Sequence, residues 1–478
     1  MGVTRTRIYP YPVPYEKESA VQIDVIETTS LGDRSYLVSQ AGTGIVIDPQ
    51  RDIDRVQALV AERGVVVTHV LETHVHNDYV TGGLELARVT GAAYLVPAGD
   101  DVAYERVPAA DGDVHTAGDL QITVLHTPGH THHHVAYALA GADGQVQAVF
   151  TGGSMLYGST GRTDLLGAEH TDTLTHAQFH SVHRLAEELP ADAAVFPSHG
   201  FGSFCAATPT SGTSSTIAEQ RAVNPALTQD EQTFVDQLIA GLGAYPAYYA
   251  HMCPINAAGP APVDLSAPRE VDAEELAGRL AAGEWVVDLR TRTAFAAGHL
   301  PGALNFELGN NFLTYLGWLY DWDAPLTLIG DSAEQVATAR RELVRIGVDR
   351  IAGAAVGTSE DLAAGAGLGS YPVSDFAGLA TQLGEHPDTV VLDARRDDER
   401  ATGGVRGSVH VPIHELRDRM EEIPDGEVWV YCGSGYRASI ASSLLARAGR
   451  RPVLVDGGYG DPETGSAAAG LHAQPVAV

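Results

Sequence analysis

Val65-Val66-Val67-Thr68-His69-Val70-Leu71-Glu72-Thr73-His74-Val75-His76-Asn77-Asp78-Tyr79 decides how this chain is read. An apolar run rich in β-branched residues ends at Leu71, and beyond it His74, His76 and Asp78 stand at alternate positions, on one side of an extended backbone. Two imidazoles and a carboxylate so placed suit a metal ion. The same device recurs further on. Thr127-Pro128-Gly129-His130 follows the run Leu120–His126, and Phe196-Pro197-Ser198-His199-Gly200 closes another. Three strand ends therefore bring histidines to one edge. Between Val21 and Phe196, β-rich runs such as GIVIDP (44–49), AAYLVP (92–97) and VQAVFTGG (146–153) alternate with helical stretches at 54–63 and 172–189, which predicts a layered α/β domain.

The rest of the chain is too long for that domain alone. At 478 residues, and at roughly 150 residues per domain, three units are expected. A helical segment near 215–243 leads into HMCPINAAGPAPVDLSAP (251–268), whose prolines and small residues predict an exposed linker. Beyond it the sequence repeats itself: VVDLR (286–290) answers to VLDAR (391–395), and the interval from Asp288 to Gly302 equals that from Asp393 to Gly407. Each unit places a buried strand ending in Asp-x-Arg, a glycine turn, and a second strand (326–329; 428–431) entering a helix, the pattern of a small parallel-sheet domain. The Ala/Gly-rich segment 352–370 is the expected connector and the last dozen residues are expected to fray. The expected domains are 1–262, 263–368 and 369–478.

Composition narrows the function. Hydrophobic residues make up 44% and charged ones 19%, a globular balance, while a formal charge of −31 argues against nucleic acid and anionic membranes as partners. No apolar run approaches the ~18 residues of a membrane span, and MGVTRTRIYPYPVPYEKES lacks the apolar core of a signal peptide. A cytoplasmic location is the expectation. Cys205, Cys253 and Cys432 are too few for a disulfide framework, so each is judged by its surroundings. Cys205 and Cys253 read as inert thiols. Cys432 differs. It ends the strand VWVY and opens Cys432-Gly433-Ser434-Gly435-Tyr436-Arg437, before a helical stretch at 438–449. Such a loop curls its N–H groups around the sulfur, and with the helix N-terminus and the Arg437 guanidinium it favours a nucleophilic thiolate able to carry a persulfide.

Two family resemblances attach to these residues. ETHVHND (72–78), TPGHT (127–131) and GRTDL (161–165) make residues 20–250 similar to the metallo-β-lactamase fold, an αββα sandwich, and within it to the persulfide dioxygenase branch. That resemblance implies one Fe(II) held by His74, by His130 and by an Asp at position 153. Here the position is Gly153, and the HxHxDH pattern ends in Tyr79, so a two-metal hydrolase is disfavoured. His74, His76 and His130 remain as a three-nitrogen set for one Fe(II) per chain, with Asp78, His199 or Asp164 as alternative ligands and Zn²⁺ as the alternative ion. Arg162 is expected to bind the carboxylates of a thiol cosubstrate or else to pair with Asp164, and Tyr79 is grouped with the substrate-binding residues. His132, His133 and His134 are expected to support the site or lie on the surface rather than bind metal.

Residues 370–460 resemble a rhodanese domain with its CxxGxR loop intact. The first repeat shares that pattern, but its loop, Ile329-Gly330-Asp331-Ser332-Ala333-Glu334-Gln335, has neither the cysteine nor the arginine, and reads as silent. Together the resemblances imply a sulfide-detoxifying fusion. A low-molecular-weight thiol persulfide would be oxidised by O₂ to sulfite at the iron, with Cys432 transferring a sulfane sulfur and thiosulfate as a product. The alternative is a sulfurtransferase fused to a zinc thioester hydrolase or to a thiol-binding domain without turnover. A homo-oligomer is expected by resemblance only.

Overall fold

The computed structural model describes residues 20–210, 212–460 and 472–473. The first domain is built on two stacked sheets. One places Gln22–Thr28, Asp33–Gln40, Thr43–Ile47, Val66–Leu71, Ala93–Pro97 and Val107–Ala109 side by side in chain order, antiparallel over the first three strands and parallel thereafter. The other runs Ala194–Pro197, Val146–Gly152, Val135–Ala140, Leu120–His126, Val114–Ala117. Side-chain alternation explains the layering. Tyr36, Val38, Ile45, Ile47 and Leu71 meet Ile122, Val124 and Phe150 between the sheets. Their neighbours Leu37, Val46 and Val70 point the other way, onto Ile53, Val56 and Leu86 of the helical side. On the far face Ala136, Ala138 and Val149 pack under Phe179, Val182 and Leu185 of the helix Ala168–Glu188. The αββα sandwich expected from the sequence is the fold.

Both repeats form parallel sheets. The first orders its strands Leu304–Asn305, Trp285–Asp288, Leu326–Gly330, Ile351–Val356. The second orders Val373–Ser374, Arg451–Val455, Glu427–Tyr431, Val390–Asp393, Val409–His410. Strands with both faces covered explain the unbroken apolar runs there.

Two expectations need correction. The stretch 251–268 is not simply a linker: Tyr249–Ala258 is a helix despite Pro254, with Met252 and Asn256 buried. The reason is Asn256, whose Nδ2 donates to the carbonyls of His76 (2.9 Å) and Tyr79 (2.8 Å) while its Oδ1 accepts from the Thr81 N–H (2.9 Å), so the segment pins the histidine loop. Likewise the expected connector 352–370 contains most of the first repeat's last strand, Ile351–Val356, hydrogen-bonded to Leu326–Gly330. The expected fraying tail lies outside the described residues, apart from 472–473.

The three units are fastened together. A single apolar cluster takes Leu31, Tyr248 and Met252 from the sandwich, Leu313 and Leu316 from the first repeat, and Val430 and Leu444 from the second. Around it Arg345 reaches Asp52 (2.7 Å) and Arg51 reaches Asp349 (2.6 Å). Breaking one partner of the buried Arg345–Asp52 pair would leave a charge without compensation. No helix of the described residues is long and apolar enough to cross a membrane.

Candidate metal centre and sulfur-carrying loop

His74, His130 and His199 are fully buried, and one ring nitrogen of each lies within 4.8 Å of the others. Hydrogen bonds to the remaining nitrogens fix the tautomers. Thr73 gives its single hydroxyl proton to Asp48 Oδ2 (2.8 Å), so its oxygen accepts from His74 Nδ1 (2.9 Å). His130 Nδ1 donates to the Arg162 carbonyl (2.8 Å). His199 Nδ1 donates to Asp33 (2.9 Å), with Asp78 at 3.2 Å. Three Nε2 atoms are left. That of His74 faces that of His199 at 3.3 Å, and that of His130 has no partner among the described residues.

Two lone pairs cannot face each other at that distance without a cation between them. Burial drives His74 well below the usual histidine range and His130 to about 3. Burial would depress His199 too, but the Asp78 and Asp33 carboxylates outweigh it and hold the ring well above that range. The facing nitrogens are where a bound divalent ion would be held. The donor set, all imidazole, buried and supported from behind, fits a transition-metal ion.

This trio differs from the expected His74, His76 and His130. His76 Nε2 lies 3.3 Å from both Asp48 and Glu72 and 2.9 Å from the Tyr79 hydroxyl. Burial alone would lower its pKa, yet these carboxylates raise it to about 9. His76 keeps a buried, unpartnered Nδ1, but groups with Asp48 and Glu72, or with Asp78 and His199, rather than with His74 and His130. Gly153 explains the room for the change. A Cβ there would fall 2.2 Å from His130 Cδ2, so the His130 ring occupies the space into which a side chain at 153 would project.

Other expected residues move away from the centre. Arg162 spends its guanidinium on Asp164 (2.6 and 2.7 Å) and on the carbonyls of Phe204 (3.2 Å) and Gly243 (2.8 Å), at 4% exposure. Of its two expected roles, the ion pair with Asp164 is the one seen, and Asp164 joins no metal-ligand cluster among the described residues. Tyr79 is buried, stacked on His76 with centroids 4.3 Å apart, and its hydroxyl donates to the Asp48 carbonyl at 3.2 Å. It belongs to the support of His76 rather than to a substrate surface. His132 and His133 are exposed, while His134 is buried and accepts the Gly153 N–H (3.0 Å). Sequence reasoning missed Asp33, Asp48, Glu72 and Asn256. Asp48 carried a signal, since a lone carboxylate ends the apolar run Ile45–Ile47 before Pro49, and its φ of +48° turns the chain there.

The second centre lies at the end of Glu427–Tyr431. Cys432 is fully buried. Gly435, at φ +87°, starts the helix Tyr436–Arg447 with no side-chain cap on its first N–H groups. Arg437 forks onto both oxygens of Glu399, with Nη2 to Oε1 at 2.7 Å. Cys205 is buried near Tyr249 (Sγ to hydroxyl, 3.7 Å), and Cys253 is partly buried.

Comparison with known proteins agrees with this geometry. Residues 32–199 match the metallo-beta-lactamase superfamily, and 272–355 and 377–461 each match the rhodanese-like domain. The mitochondrial persulfide dioxygenase ETHE1 of Homo sapiens is 29% identical over 209 residues, 44% of this chain and 74% of that one. A hydroxyacylglutathione hydrolase of Rhodospirillum rubrum is 31% identical over 37% of this chain and 67% of its own. A crystal structure of a metallo-beta-lactamase from Staphylococcus aureus subsp. aureus COL superposes with a TM-score of 0.63 at 28% identity, covering 71% of this chain and 99% of that one. The chain thus belongs to the metallo-beta-lactamase superfamily and continues into two rhodanese-like domains.

Proposed function

We propose that this chain oxidises a low-molecular-weight thiol persulfide to sulfite in its first domain and passes sulfane sulfur through Cys432 in its last. The observation that carries the first half is the convergence of one ring nitrogen from each of His74, His130 and His199 within 4.8 Å, with the Nε2 atoms of His74 and His199 3.3 Å apart and each ring fixed from behind. We assign these three as the residues that would hold one Fe(II), with His76 and Asp78 beside them. When bound, that ion would supply the redox chemistry by which O₂ oxidises a persulfide sulfur. The chain's own part is positional. Asp33, Thr73 and the Arg162 carbonyl keep each Nδ1 protonated and each Nε2 free, while the buried surroundings keep water from the reactive sulfur. Similarity to the human persulfide dioxygenase supports the substrate class.

For the second half, the Cys432 loop leaves the first N–H groups of Tyr436–Arg447 to the sulfur, and Arg437 adds positive charge. Sulfite from the first centre meeting a persulfide on Cys432 would yield thiosulfate. The test is O₂ uptake by anaerobically purified, iron-loaded chain with glutathione persulfide, with sulfite and thiosulfate measured together. Oxygen uptake with thiosulfate formation supports the reading; no uptake with full iron contradicts it.

The hydroxyacylglutathione hydrolase relative favours a second reading, a zinc thioester hydrolase in the first domain. Thioester cleavage without O₂ uptake by zinc-loaded protein would establish it. Gly153 and Tyr79 stand against it, since both remove ligands from a two-metal hydrolytic centre.

A further inference from the structure

The three domains meet in a wall of rings that reaches the Cys432 loop at Tyr436 and Arg437. Phe204, a few residues beyond His199, packs edge-on against Trp318 with centroids 5.3 Å apart, and Trp318 stacks on His414 at 4.7 Å. Next to Trp318 at 6.1 Å comes Tyr315, whose ring lies 5.9 Å from that of Tyr436 and 5.9 Å from the Arg437 guanidinium carbon. Arg396 closes the arc, 5.5 Å above Phe204, and borders a cleft of about 490 Å³ between the sandwich and the last domain. Tyr315 and Trp318 belong to the silent repeat, on its wholly buried helix Phe312–Leu319. The repeat without a cysteine therefore places Tyr315 against Tyr436 and Arg437 of the other repeat's Cys432 loop.

Among these groups Tyr315 stands out as a donor. Its hydroxyl has no hydrogen-bond partner among the described residues, although the residue is only 6% exposed. Both nearby guanidiniums are partly committed, Arg437 to Glu399 and Arg396 to Asp398 at 3.0 Å. Burial keeps the phenol protonated, the neighbouring guanidiniums notwithstanding. On a chain of net charge −31 a dianionic acceptor needs local donors to approach at all.

We propose that Tyr315, contributed by the silent repeat, hydrogen-bonds the sulfur oxyanion that accepts sulfane sulfur from Cys432. The inference rests on the sulfurtransferase reading of Cys432. In the step concerned, the sulfite sulfur attacks the outer sulfur of the Cys432 persulfide. A new S–S bond forms, the bond to Sγ breaks with its electron pair left on Cys432, and thiosulfate departs. A persulfide anion and sulfite become a thiolate and thiosulfate, so charge and electrons balance without a further reactant. Tyr315 would hold a sulfite oxygen, with Arg437 and Arg396 supplying the field.

The test uses the full chain and its Tyr315→Phe variant, with glutathione persulfide as sulfur donor and either sulfite or cyanide as acceptor. Losing one hydrogen bond to an anion should raise KM for sulfite about tenfold. KM for the small monoanion cyanide, and single-turnover loading of Cys432 followed by mass spectrometry, should stay within about twofold. A sulfite KM unchanged in both Tyr315→Phe and Tyr315→Ala would overturn the proposal. If Cys432→Ala is inactive while the Tyr315 variants match the parent, this inference alone fails. If Cys432→Ala still transfers sulfur, the reading beneath it fails.

Discussion

The two rhodanese-like domains share a parallel-sheet core and part company at the loop after Leu326–Gly330 in one and Glu427–Tyr431 in the other. In each, the central strand ends in an arginine folded back on its own aspartate and on a glycine carbonyl: Arg290 on Asp288 (2.6 Å) and Gly298 (2.9 Å), Arg395 on Asp393 (2.7 Å) and Gly403 (2.6 Å). Strand register sets Ile329 beside Asp288 as it sets Tyr431 beside Asp393, so Gly330 occupies the place of Cys432 and Gln335 that of Arg437. There the likeness stops. In the silent loop Ser332 caps the helix by accepting the Gln335 N–H (3.2 Å), and the Gln335 side chain accepts from Asp331 N (2.8 Å) while donating to the Leu289 carbonyl (3.1 Å). The protein satisfies its own helix N-terminus. In the Cys432 loop Gly435 supplies no side-chain cap, and the first N–H groups are left without one. The repeat without the thiol therefore also fills its own helix N-terminus, while its helix Phe312–Leu319 stays wholly buried in the packing between the domains.

Cys432→Ala should bring sulfane transfer to cyanide down to background, and adding Gly330→Cys should restore nothing, because the N–H groups of Asp331 and Gln335 are already taken by the Gln335 and Ser332 side chains and the loop has no arginine. Recovery of transferase activity in that double variant would show that the cradle difference is immaterial. Gly435→Ala comes next. Its φ of +87° costs an alanine about 1–2 kcal/mol, and the new methyl would fall 2.2 Å from Asp456 Oδ1. Transfer should drop by about tenfold or more, given how strongly such geometry weighs on positioned chemistry, as steady-state kinetics would read.

Glu399→Gln should destabilise by about 1–3 kcal/mol in urea unfolding, since it leaves the 8%-exposed Arg437 without its ionic partner. Ser332→Ala, in the silent loop, should cost about 1 kcal/mol and leave transfer unchanged. The smallest effect is on acid stability. Burial alone would raise the Asp393 carboxyl, but Arg395 and the Tyr431 hydroxyl outweigh it and hold it below the usual range. Its stabilising contribution is therefore full above the unfolded pKa of about 4 and is lost as pH falls through the lower folded value. Asp393→Asn should flatten that acid limb in a pH series of unfolding curves.

Much of this was legible along the chain. Alternating apolar residues gave both layers of the sandwich, and the repeat was visible from Asp-x-Arg spacing, because each reflects a local backbone period. His74, His130 and Cys432 were legible for the same reason: each closes a strand. What stayed hidden depends on residues far apart in sequence. That His199 rather than His76 completes the trio follows from Asp33, Asp48 and Glu72, which meet only after the sheet is assembled. Arg162 carried a motif but no record of how its donors are spent. The helix Tyr249–Ala258 looked like a linker because its anchoring interactions, those of Asn256, are all tertiary.

We propose that His199, rather than His76, completes the metal site with His74 and His130. Elemental analysis of anaerobically purified full-length chain, beside its His199→Ala and His76→Ala variants, tests it most directly. One iron per chain, lost in His199→Ala and largely kept in His76→Ala, is the predicted result. Full iron occupancy in His199→Ala, with loss in His76→Ala, would contradict it and return the site to the three histidines first read from the sequence.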